Sequence, residues 1–78
     1  MKLYENVFEV TETLQNGKER RVKKSVYTPR FMERDGHTVH ISEEERIKYG
    51  TYELEARHYY NVKYLYTKKR EVIYTELI

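Results

Sequence analysis

The residues best suited to recognition in this sequence are its cations and its tyrosines. Lys18, Arg20, Arg21, Lys23 and Lys24 fall within KERRVKK, five bases against the single carboxylate of Glu19. Cations at this density attract phosphates or an acidic protein surface. The same density on a hairpin tip also solubilises it and keeps strand edges from pairing with other chains. Tyr49, Tyr52, Tyr59, Tyr60, Tyr64, Tyr66 and Tyr74 crowd the C-terminal half. Exposed tyrosine beside a cation suits base stacking and equally a protein-interface hot spot. That makes Arg57, Tyr59 and Lys63 candidate companions of the basic run.

Catalytic readings have less support. The serines are Ser25 and Ser42, and no glycine-rich phosphate loop or nucleophile elbow occurs. The best enzymatic candidate is metal-independent RNA cleavage, with His58 and Glu55 moving protons and Arg57, beside Tyr59, steadying the phosphate. His37 and His40 have H-x-x-H spacing, but residues i and i+3 of a strand face opposite sides. With no cysteine to complete a tetrahedral set, no metal site and no cofactor are expected.

Several elements must position these groups. Tyr4, Phe8, Val10 and Leu14 alternate as a half-buried strand requires, and Asn16-Gly17 marks a turn. A three-residue loop, Gln15-Asn16-Gly17 with Gly17 left-handed, pairs Leu14 with Lys18, Val10 with Val22 and Glu9 with Lys23. It puts Val26 on the face of Phe8. A one-residue slip would send a whole apolar set to the wrong side. The same register turns Arg21 and Lys23 to one face and Lys18, Arg20 and Lys24 to the other. A hairpin end polar on both faces projects as an arm. Asp35-Gly36 predicts a second tight turn joining 27–33 to 38–41, with Met32 opposite Val39 and Phe31 opposite His40, so the chain opens as a three-stranded meander.

Ser42-Glu43-Glu44-Glu45 is a capping box, and Lys48 and Gly50 suit a helix end, so a short helix is expected at 43–49. Residues 51–66 read as a strand with a bulge near 56–58, in competition with a helical stripe. The strand reading makes Tyr52, Tyr60, Tyr64 and Tyr66 core and turns Tyr59 outward beside Arg57 and Lys63. Lys68-Lys69 then turns the chain into a last strand, Glu71–Ile78, with Tyr64 opposite Ile73. The expectation is an α+β, β-rich fold of order β-β-β-α-β-β, either an antiparallel sheet or a small OB-like barrel.

Composition bounds the rest. Seventy-eight residues make one domain, 1–78. Leu, Ile, Val and Phe supply 18 of the 78 residues, above the level of about 20% under which a highly charged chain stays disordered, so folding is expected. The absence of cysteine points to the cytoplasm. No apolar run reaches the ~18 residues of a membrane span, so no membrane association is expected. In its brevity, its Lys, Glu and Tyr richness and its lack of Cys and Trp, the chain resembles small proteins of phages and mobile elements, anti-CRISPR proteins among them. The resemblance implies an inhibitor of a host system. The leading expectation is a non-catalytic protein that docks on a protein or protein–nucleic-acid assembly through the basic arm and Arg57, Tyr59 and Lys63. The alternatives are an OB-like nucleic-acid-binding domain and the ribonuclease. An exposed edge at 72–78 would allow a homodimer.

Overall fold

The computed structural model describes residues 3–70. Their elements are β1 (Leu3–Thr13), β2 (Glu19–Pro29), β3 (Phe31–Arg34), β4 (His37–His40), α1 (Glu43–Ala56) and β5 (Tyr60–Arg70). The fold is β-rich α+β with antiparallel pairing and, among the described residues, no closed barrel, so the OB-like alternative is set aside in favour of the open sheet. One three-stranded sheet has the order β2-β1-β5, and β3 and β4 form a separate two-stranded sheet.

The opening hairpin folds in the register its apolar pattern dictates. Val10 pairs with Val22, Glu9 with Lys23 and Asn6 with Val26. The Leu14 amide donates to the Lys18 carbonyl at 2.7 Å, and Gly17 is left-handed at φ 81°. Asp35 and Gly36 adopt φ 52° and 77°, the positive values a two-residue hairpin turn needs. They set Met32 against Val39 and Phe31 against His40.

The meander does not form. Residues 27–33 are not one strand, because Pro29 has no N–H to extend the ladder. Arg30 bends the chain, and its carbonyl accepts from the Ile41 amide at 2.9 Å to seal the base of a separate β3–β4 hairpin. The place beside β1 that a meander leaves open is taken by β5.

The helix is twice the expected length. Ser42 caps it: its hydroxyl accepts from the Glu45 amide at 3.1 Å and donates to the Glu45 carboxylate at 3.0 Å. The glutamate therefore returns to the serine hydroxyl and not to its amide. Gly50 lies inside the helix and is buried. It is glycine because of close approach: a Cβ there would lie 2.1 Å from Cζ of Phe8. The helix ends instead at a Schellman motif. The His58 amide donates to the Glu55 carbonyl at 2.9 Å and the Tyr59 amide to the Leu54 carbonyl at 3.2 Å. His58 takes the left-handed position at φ 68°.

Residues 51–56 are thus helical and not strand. Lys68 and Lys69 are not a turn: they continue β5, opposite Glu5 and Tyr4. The expected last strand at 71–78, with its pairing to Tyr64 and its edge contact, lies outside the described residues.

The helix covers one face of the three-stranded sheet. Phe8, Val10, Val26 and Leu54 form the buried cluster, with Val22, Tyr59, Val62 and Tyr64 packed around it. Phe8 and Tyr64 meet edge to face, centroids 5.3 Å apart. Asn6 is fully buried beside this cluster. Its amide donates to the Val26 carbonyl at 2.8 Å and to the Thr28 hydroxyl at 2.9 Å. A buried side-chain amide is tolerated only when so satisfied.

Candidate binding face

Directly paired residues of an antiparallel ladder share a face, so the register sorts the side chains. Phe8 pairs with Lys24 and Tyr64, and Tyr4 with Thr28 and Lys69, on the face that α1 covers. The other face carries Glu5 with Tyr27 and Lys68, Val7 with Ser25 and Tyr66, Glu9 with Lys23 and Lys63, and Thr11 with Arg21 and Tyr60.

Two irregularities in β5 produce this sorting. Leu65 is an extra residue between the Tyr64 and Tyr66 pairings. Asn61 and Val62 oppose Val10 alone, with Asn61 left-handed at φ 53°. Each bulge reverses the alternation. Tyr60, Lys63, Tyr66, Lys68 and Arg70 therefore fall on the outer face, while Val62, Tyr64, Thr67 and Lys69 fall on the inner.

The outer face combines aromatic surface with positive charge. Tyr27, Tyr60 and Tyr66 are 47%, 41% and 42% exposed. Lys68 Nζ lies 5.7 Å from the centroid of the Tyr66 ring. The carboxylates among them have partners: Glu5 accepts from the Ser25 hydroxyl at 3.0 Å and lies 3.3 Å from Arg70, and Glu9 lies 3.9 Å from Arg21. Among the described residues no carboxylate pairs with Lys23, Lys63 or Lys68. The Tyr60 hydroxyl donates to Glu19, and this bond is the main cause holding that hydroxyl's pKa above the ordinary tyrosine value. A depression of about 310 Å³, lined by Glu9, Thr11, Arg21, Asn61, Val62 and Lys63, opens toward the hairpin end of the face.

The predicted residues divide three ways. Arg21, Lys23 and Lys63 meet on the outer face. Lys18 is exposed at the turn, and Arg20 lies 3.1 Å from Glu12 across the hairpin. Lys24 sits on the helix-covered face, its Nζ 5.8 Å from the Tyr59 ring centroid. Tyr59 does not point outward: it is half-buried against the core, because position C″ of a Schellman motif folds back on its helix. Arg57 caps the helix end, 3.8 Å from Glu53. The core tyrosines are also revised, with Tyr52 71% exposed on the helix.

The basic arm is short. Beyond Thr11 and Tyr60, where β5 ends its pairing, the hairpin continues for the pairs Glu12–Arg20 and Thr13–Glu19 and then the turn. Arg20 and Arg21 lie back against β1 carboxylates, yet 56% and 80% of their side-chain surface stays exposed. Sequence reasoning missed Tyr27, Lys68 and Arg70, and it placed Tyr60 and Tyr66 in the core where both are exposed on the outer face. For Tyr27 a signal existed, since Arg21, Lys23, Ser25 and Tyr27 alternate on one side of β2.

His58 is exposed at the helix end, and neither of the two described cavities is lined by Glu55, Arg57, His58 or Tyr59. Among the described residues no three metal-ligating side chains converge. No described helix is long and apolar enough to cross a membrane. Comparison with protein-family models, curated proteins and solved structures finds no match.

Proposed function

We propose that this chain is a non-catalytic binding protein that docks on a macromolecular partner through the helix-free face of the β2-β1-β5 sheet. The carrying observation is the grouping of Tyr27, Tyr60 and Tyr66, each more than two-fifths exposed, with Arg21, Lys23, Lys63 and Lys68. Tyrosine and arginine are the residue types that dominate interface energetics. The lysines favour a partner of opposite charge. The hairpin end carries Arg20 on the opposite face, paired with Glu12, and leaves Lys18 exposed at the turn. A cytoplasmic inhibitor from a mobile element, of the anti-CRISPR kind that the composition resembles, would use such a surface to occupy a host machine.

The same alternation of cation and aromatic favours a second reading, direct binding of single-stranded nucleic acid with bases stacked on the tyrosines. Two variants test the face: Arg21→Glu with Lys23→Glu, Lys63→Glu and Lys68→Glu, and Tyr27→Ala with Tyr66→Ala. Both are expected to lose a partner that the wild-type chain retains from its native host, with melting temperatures nearly unchanged. If both variants keep the partner, the face is not the docking surface. Titration of an oligothymidylate at several salt concentrations separates the readings. Phosphate contacts give a log–log slope of about −0.7 per contact for single strands, whereas docking on a protein gives no oligonucleotide binding at any salt concentration.

A further inference from the structure

Away from the outer face, between α1 and β5, the molecule buries a charge it does not neutralise. Arg46 is 9% exposed on the first turns of α1. Its guanidinium carbon stacks 4.1 Å from the centroid of the Tyr4 ring. The buried nitrogens Nε and Nη1 have no hydrogen-bond partner, and among the described residues no carboxylate pairs with this arginine. Ring stacking offsets only part of the cost of desolvating a cation. Buried donors without acceptors are rare in folded proteins.

Arg46 also lines a cavity of about 310 Å³ together with Tyr4, Glu43, Tyr64, Thr67 and Lys69. Lys69 adds a second cation, and Tyr64 and Thr67, whose hydroxyls bond each other, complete the wall. Glu43 is the one carboxylate in the lining. Tyr4 is held from behind by its hydroxyl's bond to His40 Nε2, at 2.5 Å.

We propose that this cavity is a site for a single oxyanion, a phosphate or carboxylate group, bound by Arg46 and Lys69. The planar guanidinium matches the paired oxygens of either group. Nε and Nη1 are closed to solvent in this conformation, so the oxyanion pairs with them as the guanidinium turns toward the cavity. The site lies on the helix side of the sheet and stands whether or not the outer face docks a partner.

The test titrates the full chain with inorganic phosphate and, separately, with acetate at constant ionic strength, following the Arg46 Nε–H and the Thr67 and Lys69 amides by NMR. Saturable shifts of these signals with at least one anion are expected, and the preferred anion distinguishes a phosphate source from a carboxylate. Arg46→Met should abolish the shifts at Thr67 and Lys69. Lys69→Met, at an exposed position that leaves folding intact, should weaken binding about tenfold, the loss of one charge-assisted hydrogen bond. No saturable shift with either anion, or undiminished binding in Lys69→Met together with a static Arg46 Nε–H signal, overturns the site.

Discussion

Replacing Gly50 by alanine should destabilise this protein, although the same change in most helices stabilises them. In a helix interior alanine is favoured over glycine by about 1 kcal/mol. Here the added Cβ would lie 2.1 Å from Cζ and 2.3 Å from Cε2 of Phe8, well inside the carbon–carbon contact distance of about 3.5–4.0 Å. The ring has no free direction in which to retreat: Phe8 is fully buried and packs edge to face on Tyr64. Overpacking of a tight core costs about 1–3 kcal/mol, and an overlap above 1 Å belongs at the upper end. Subtracting the propensity gain leaves a net loss of about 2 kcal/mol. For a domain of this size that lowers the melting temperature by about 8–16 °C. Urea and thermal unfolding measure it directly. A double variant with Phe8→Leu, which shortens the side chain facing residue 50, should lose less than the two single losses combined. A Gly50→Ala protein that melts above wild type would refute the claim that α1 seats on Phe8 through this glycine.

Other perturbations probe separate joints of the fold. Asn6→Leu should cost at least about 2 kcal/mol in urea unfolding, since it strips a buried carbonyl and hydroxyl of their donor; a neutral result would mean that water replaces the amide. His58→Gly should gain about 1 kcal/mol by relieving a left-handed residue, and it also removes the only imidazole of the ribonuclease scheme. Intrinsic RNA cleavage by the wild-type chain that disappears in this variant would refute the non-catalytic reading, and a lower melting temperature would refute the capping role. Burial raises the Tyr64 hydroxyl above the ordinary 10.0, against a smaller lowering by Arg46. The folded chain therefore holds a proton that the unfolded chain sheds, so stability is intact below pH 10 and falls as pH rises past it. Tyr64→Phe should show a shallower alkaline fall, and an unchanged slope would assign the effect to other groups.

The parts of this fold legible in sequence are those set by local chemistry. Gly17 and Asp35-Gly36 announce their turns because positive φ is scarce. Ser42 announces a helix start because its hydroxyl takes an orphan amide. The helix end escaped because its signals are inverted. Gly50 resembles a terminating glycine but serves a tertiary contact, and the terminating residue is a histidine. The buried stripe of α1 is Arg46, Gly50 and Leu54, only one of which is apolar, and the helical stripe that competed with the strand reading is a different face, on which Tyr49 and Tyr52 are exposed.

The proposed face was hidden for a different reason. Tyr64 and Tyr66 are two positions apart, which on a regular strand means one face. Leu65 intervenes as an extra residue, so Tyr64 joins Phe8 under the helix while Tyr66 joins Val7 on the outside. Nothing in the composition of YLY signals the bulge, which exists only in the pairing of β5 with β1. The second bulge, at Asn61, has a partial signature, since asparagine tolerates the left-handed region. Without both, Tyr60, Lys63, Tyr66 and Lys68 could not share one face. The surface assigned to recognition is thus a product of sheet irregularity. A variant that regularised β5 would lose the face even if every tyrosine and lysine were kept.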